Sequence, residues 1–268
     1  MPRNRAELWP LGPADALLAG GTWLFSEPQP HVRRLVDLTA LEWLPITVSD
    51  NGIELAATCP LAQVSELSAQ LPGTRPRWQA APLFHQCCTA LLASFKIWRA
   101  ATVGGNLCLS FAAGSMISLT SALDGVCTIW QAGSGERKIS VADFVTGDQR
   151  NVLAPGDLLR QVEIPLAALR RRSAFRQISL TPVGRSAALL IGSVTGDGGL
   201  ALTITASTRR PVRLSFAGIP NGKELRETIL QRIADDLYHT DLHGKPAWRK
   251  HMTLRLAEEI RVELQDTA

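Results

Sequence analysis

Tyrosine occurs once in this 268-residue chain, methionine three times and histidine five times, and only 19% of the residues are charged. Apolar runs such as 187–191 and 90–93 are short. They fall well below the ~20 residues that a membrane-spanning helix needs, so no span is expected. The opening residues Met1-Pro2-Arg3-Asn4-Arg5-Ala6-Glu7 contain no apolar stretch, which predicts no secretory signal. Five cysteines, Cys59, Cys87, Cys88, Cys108 and Cys127, form an odd set without Cys-x-x-Cys spacing. That pattern excludes structural zinc and iron–sulfur ligation by this chain. It fits a reducing cytoplasm. Lysine plus arginine exceed aspartate plus glutamate by only 28 to 24, a formal charge of +4. So small and scattered an excess does not indicate nucleic-acid binding.

Several familiar motifs are missing as well. Gly222-Lys223 is followed by Glu224 and Gly244-Lys245 by Pro246, so there is no phosphate-binding P-loop. Neither a His-Glu-x-x-His pair nor a Gly-x-Ser-x-Gly elbow occurs. A glycine pattern at Gly196-x-Gly198-x-x-Ala201 leads into a strand-like run. A dinucleotide fingerprint leads into a helix, so these residues read as a hairpin turn.

The remaining sequence alternates short apolar runs with helical patterns. Strands are expected at 35–38, 53–56 and 127–131. Helices are expected at 60–69, with Thr58 as N-cap, and over 82–95, where Leu83, Cys87 and Leu91 recur every four residues. Beyond Arg170-Arg171-Arg172 come strand-like runs at 174–179, 187–194 and 200–207. Helices over 223–238 and 248–265 complete the chain. Strands followed by helices suggest a separate α+β unit. The expected division is therefore 1–170 and 171–268.

Two glycine pairs carry chemical information. Leu17-Leu18-Ala19-Gly20-Gly21-Thr22-Trp23-Leu24 brings an apolar run into a turn where the backbone can approach a ligand closely. Successive free N–H groups in such a turn make an anion-binding concavity. Thr102-Val103-Gly104-Gly105-Asn106-Leu107 repeats the arrangement about 80 residues later. Together the two segments suit the ends of one elongated diphosphate ligand.

At these residues the sequence resembles the FAD-binding medium subunits of the xanthine dehydrogenase and carbon monoxide dehydrogenase family, the molybdenum hydroxylases. The family's Ala-Gly-Gly-Thr-x-Leu loop is matched at residues 19–24 and its Thr-(Ile/Val)-Gly-Gly-Asn segment at 102–106. Leu35-Val36-Asp37-Leu38, Asp143-Phe144, Pro155-Gly156-Asp157-Leu158-Leu159 and Val162-Glu163-Ile164-Pro165 follow in the family's order. Asp241-Leu242-His243-Gly244 before Trp248-Arg249 is similar to its C-terminal signature.

The resemblance implies an α+β fold: a two-subdomain FAD-binding domain of the PCMH type, then a small C-terminal domain with an antiparallel sheet and helices. It implies that Leu18, Ala19, Gly20, Gly21, Thr22, Trp23 and Leu24 wrap the FAD pyrophosphate, with the N–H groups of Gly20, Gly21 and Thr22 donating. Thr102, Gly104, Gly105 and Asn106 would form the facing wall, Leu158 and Leu159 would pack on the flavin, and Arg176 would lie beside the isoalloxazine. Two positions depart from the pattern. Trp23 stands where many relatives have an acidic residue. Ser115 falls nine residues after Asn106, where the family usually has a ribose-binding aspartate. A hydroxyl binds ribose more weakly than a carboxylate does.

Neither glycine segment contains histidine or cysteine, which predicts non-covalent FAD. The implied partners are a small subunit with [2Fe–2S] clusters and a large molybdopterin subunit. NAD, oxygen or a quinone would be the electron acceptor, and no acid–base residue is demanded of this chain. A stand-alone PCMH-type flavin oxidoreductase and a degenerate scaffold subunit without FAD remain open at this point.

Overall fold

The structure, a computed structural model, describes residues 1–266. Strand β1 (Asp15–Leu18) pairs in parallel with β2 (Arg34–Asp37). Parallel neighbours need a long crossover. Here the crossover is residues 19–33, which carries the first glycine pair. Asp15 holds the two strands together at one end, accepting from Arg34 Nε at 2.8 Å and from the Gly12 N–H at 2.6 Å. The Arg34 hydrogen bond, aided by Gly12, pulls the Asp15 carboxyl down to about 2. A depressed carboxylate contributes stability above its unfolded pKa and loses it as pH falls through the folded value. Asp15→Asn should therefore unfold less steeply than the parent between about pH 4 and 2. Parallel acid titrations followed by circular dichroism would test this, and coincident curves would contradict it.

The hairpin β3 (Ile46–Ser49) and β4 (Gly52–Ala56) leads to helices α1 (Leu61–Thr74), α2 (Pro82–Ala90), α3 (Phe95–Ala100), α4 (Val103–Leu109) and α5 (Ser115–Ala122). Strands β5 (Val126–Trp130) and β6 (Glu136–Ser140), helix α6 (Val141–Phe144), strands β7 (Val145–Gly147), β8 (Arg150–Asn151) and β9 (Leu158–Pro165), and helix α7 (Leu166–Leu169) come next. An antiparallel sheet runs in the order β3-β4-β9-β5-β6. One apolar core joins it to α1, α2 and α5 through Leu55, Val64, Phe84, Leu119 and Val162.

After α7, strands β10 (Ser173–Ile178), β11 (Ala188–Val194), β12 (Leu200–Thr205) and β13 (Val212–Phe216) form an antiparallel meander, with a hairpin turn at 195–199. Helices α8 (Gly222–Arg232) and α9 (Pro246–Asp266) follow. The run 188–193 reads as continuously apolar because the sheet is covered on both faces. Leu189 and Ile191 enter the core with α5, whereas Leu190 packs with Leu256 and Ile260 of α9. Contact is so close that a Cβ on Gly192 would lie 2.3 Å from Ile260 Cγ2.

Three expected helices differ from the structure. Thr58 is not the cap of α1; Pro60 occupies that position, and the Leu61 N–H is satisfied by the Ala101 carbonyl at 2.9 Å. The stretch 82–95 is not one helix. Leu91 leaves helical geometry, and Ser94 Oγ caps a new helix by accepting from the Ile97 N–H. The helix expected over 223–238 ends at Arg232. Beyond it the chain turns back to pair with 207–209: His239 N–H bonds the Ser207 carbonyl at 2.8 Å and Arg209 N–H the Leu237 carbonyl at 3.0 Å. That pairing buries Tyr238 and is incompatible with a continued helix.

Candidate cofactor cleft

Gly20 sits so near the end of α3 that a Cβ would lie 1.7 Å from the Ala100 carbonyl oxygen. Gly21 has φ +67°, in the left-handed region that favours glycine. The turn then closes on itself through Phe25 N–H to the Gly21 carbonyl at 2.9 Å. Among the described residues, the N–H groups of Gly20, Gly21 and Thr22 have no acceptor. Unpaired backbone donors of this kind are costly when covered by protein and favour an acceptor-rich ligand.

The second glycine pair is helical, which the reading of 102–106 as a loop did not anticipate. Thr102 caps α4, its Oγ1 accepting from the Gly105 N–H at 3.1 Å. Gly104 N–H bonds the Ala57 carbonyl at 2.8 Å, and a Cβ on Gly104 would press on Ala57 at 2.5 Å. Asn106 Oδ1 accepts from the Met116 N–H at 2.9 Å and so ties α4 to the first turn of α5. Serving as a cap explains the threonine, and close contact with β4 explains the glycine at 104.

These two segments face each other across a cavity of about 360 Å3. Its wall includes residues 18–24, Thr102, Gly104, Gly105 and Asn106, with Leu158 and Leu159 from the start of β9. A register shift between Thr128 and Ile129 breaks the β5–β9 ladder beside those leucines. Irregularities of this type often re-aim residues near a site. No Lys, Arg, Asp or Glu lines the cavity among the described residues. Polar contact with a ligand therefore falls to backbone groups, the Thr22 and Thr102 hydroxyls and the Asn106 amide.

Two expected site residues lie elsewhere. Arg176 does not line the cavity: Nε bonds Glu259 at 3.2 Å and its other nitrogen Glu263 at 2.6 Å on α9. Glu259 and Glu263 are one helical turn apart, so both can reach the same strand residue. Ser115 is fully buried at the start of α5, outside the cavity lining, and its Oγ has no hydrogen-bond partner among the described residues. Leu38, Ala57 and Leu153 line the cavity without having been singled out. Leu38 closes the Asp-Leu motif, which was a usable signal; Ala57 and Leu153 had none.

Cys108 also reaches the cavity wall. Burial pushes its thiol up to about 12, and also pushes Cys59 and Cys88 up to about 12. Cys87 and Cys127 are raised by burial too. Thiolates are the reactive form. Iodoacetamide at pH 8 should accordingly leave all five free cysteines of the folded chain unmodified, and label all five after denaturation. Intact-mass spectrometry reads the result, and rapid native labelling at Cys108, the one of the five that is only half-buried, would contradict its raised pKa.

Residues 4–167 match the family model described as the FAD binding domain in molybdopterin dehydrogenase. The chain is 28% identical over 173 residues to the nicotinate dehydrogenase FAD-subunit of Eubacterium barkeri. That alignment takes in 61% of this chain and 55% of the relative, so the chain spans about half the relative's length. Quinoline 2-oxidoreductase from Pseudomonas putida 86 contains a chain of the same fold, with TM-score 0.74 at 18% identity, covering 96% of this chain and 91% of that one. Carbon monoxide dehydrogenase from Hydrogenophaga pseudoflava gives TM-score 0.74 at 17% identity, covering 97% and 93%. The matched span contains both glycine segments and the cavity between them, and on that span the chain belongs to the family of FAD-binding domains of molybdopterin dehydrogenases.

Proposed function

We propose that this chain is the FAD-holding subunit of a multi-subunit molybdenum hydroxylase. The observation that carries the reading is the meeting of two glycine segments, distant in sequence, on one uncharged cavity with unpaired backbone donors. The residues present fit a flavin dinucleotide. Gly20 and Gly104 let the two segments pack closely on Ala100 and Ala57 at the edge of the cavity, and the N–H groups of Gly20, Gly21 and Thr22 suit a pyrophosphate. Ser115, fully buried and outside the cavity lining, offers no contact to a ribose, and Asn106 is the polar side chain that reaches the wall on that side. Leu158 and Leu159 provide an apolar surface for the ring system. Neither glycine segment contains histidine or cysteine, and the half-buried Cys108 thiol has its pKa pushed up to about 12, which supports non-covalent binding.

FAD, when bound, would supply one- and two-electron transfer. The two glycine segments would position it, and Leu158 and Leu159 would shield its ring system. Electrons would arrive from [2Fe–2S] clusters on a small partner subunit, after oxidation of substrate at a molybdopterin centre on a large one. NAD, oxygen or a quinone would take them away. Residues 1–170 form the flavin-binding part in this reading and 171–268 the C-terminal domain. The dehydrogenase and oxidoreductase names of the relatives support the assignment of class. No helix among the described residues is long and apolar enough to cross a membrane. Five free thiols support a cytoplasmic setting.

Reconstitution with FAD followed by gel filtration tests the binding step. A stoichiometric flavin spectrum is expected for the parent, and loss of flavin for Gly21→Asp, whose side chain would meet the Phe25 ring at 2.6 Å and strain a turn held at φ +67°. A parent chain without flavin after reconstitution would favour a scaffold role and overturn the proposal. Purification from the native host tests the assembly. Molybdenum and iron should co-purify with the chain; an active homo-oligomer lacking both would indicate a stand-alone flavin enzyme instead.

A further inference from the structure

We propose that a second cavity, of about 270 Å3 between the turn at Phe111 and the loops of the C-terminal part, binds a small organic carboxylate. The inference does not require flavin in the first cavity. Its wall contains four charged side chains besides His239, and three of them are already committed. Arg249 is buried and donates to the carbonyls of Gly244, Ala187 and Ala206 and to the Asp241 carboxylate. Asp241 also takes the His243 N–H at 2.8 Å and lies 3.3 Å from His239 Nε2. Asp148 Oδ1 accepts from the Ala112 N–H at 2.8 Å.

Arg185 is the exception. It is exposed at the mouth of the cavity, its guanidinium lies 5.6 Å over the Phe111 ring, and it has neither an ion pair nor a hydrogen bond among the described residues. The cavity thus presents one cation with its forked donors free, against carboxylates already satisfied by the chain. A guanidinium in that state matches a planar carboxylate, which it can hold through two parallel N–H···O bonds. Phe111 supplies a flat apolar wall beside it, so a ring-bearing carboxylate gains contact that a bare inorganic anion does not. Phe111 also meets Trp23 edge-on, at 4.9 Å between ring centroids, and Trp23 belongs to the wall of the first cavity. The two cavities are therefore neighbours across an aromatic pair.

Calorimetric titration of the purified chain with benzoate tests the site. Saturable one-to-one binding is expected, with no binding of benzylamine. Arg185→Ala should weaken benzoate by about tenfold or more, as expected for loss of a charge-assisted contact. Arg185→Lys should recover only part of it, since an ammonium lacks the fork. Arg209→Ala removes the same charge from an exposed position outside the cavity and should change nothing. Equal weakening by Arg185→Ala and Arg209→Ala would reduce the effect to net charge and overturn the proposal. So would phosphate binding as tightly as benzoate, or displacement of benzoate by FAD, which would place both in the first cavity. Failure of FAD to bind leaves the benzoate result standing, so the two readings fail separately.

Discussion

Gly20→Ala is expected to abolish flavin retention and to lower the stability of the fold together. The added methyl meets the Ala100 carbonyl oxygen at 1.7 Å, and backbone at the end of a helix cannot swing aside as a side chain does. Either the 20–24 turn lifts or α3 moves. Overpacking of this kind costs about 1–3 kcal/mol. For a chain of this size that is a fall of roughly 2–4 °C in melting temperature per kcal/mol. A lifted turn also withdraws the N–H groups of Gly20, Gly21 and Thr22 from the cavity. Gly73→Ala is the matched control, because it lies in α1 outside the cavity, its Cβ meets nothing within 4 Å and alanine is the better helix former. Thermal melts of both variants without FAD, then flavin content after reconstitution, separate the two effects. Gly20→Ala that melts and binds like the parent would show that the turn does not rest on Ala100.

Arg249→Ala should produce the largest loss of stability. This arginine is fully buried and serves three carbonyls and one carboxylate that link α9, β11, the 206 bend and the 241–244 turn. Its loss leaves the buried carbonyls of Ala187, Ala206 and Gly244 without that donor, at about 1–3 kcal/mol for each left unsatisfied, while the Asp241 carboxylate, a quarter exposed, keeps part of its hydration. Arg249→Lys should rescue little, since one ammonium cannot reach four acceptors in the geometry of a guanidinium. Removing both charges in Arg249→Met with Asp241→Asn should recover part of the loss. Denaturant unfolding at neutral pH measures all three, and an Arg249→Lys variant as stable as the parent would contradict the argument.

The same pair sets a pH dependence. Burial pushes the Asp241 carboxyl up, but the His243 N–H and Arg249 outweigh it and the group is held below its ordinary value. Its contribution is therefore complete above the unfolded carboxyl pKa, near 3.9, and disappears as pH falls through the folded value. In Arg249→Ala the acid limb of the stability profile should flatten, because the principal countercharge is gone.

Much of the wall of the candidate cleft was readable in advance, because its requirements are local. A turn that needs left-handed backbone at Gly21, an apolar pair at Leu158 and Leu159, and a threonine capping a glycine-containing helix all leave marks over a few adjacent residues. The same holds for the strands near 35–38 and 53–56 and for the hairpin at 195–199, where alternation and glycine carry the signal.

What was not readable depends on partners far along the chain. Arg176 follows a phenylalanine on a strand in either reading; only the packing of α9 on β10 brings Glu259 and Glu263 to it and takes it away from the cleft. Thr58 is a better N-cap than Pro60 by residue type. The Ala101 carbonyl nevertheless satisfies the Leu61 N–H and moves the start of α1. The helix after 222 stops where its continuation would compete with pairing to 207–209. By itself the sequence determined which segments can turn tightly, which must be buried and which lack the ligands for a metal. Tertiary structure decided which donors stay unpaired and which charges are neutralised, because both depend on groups that meet only when the chain has folded.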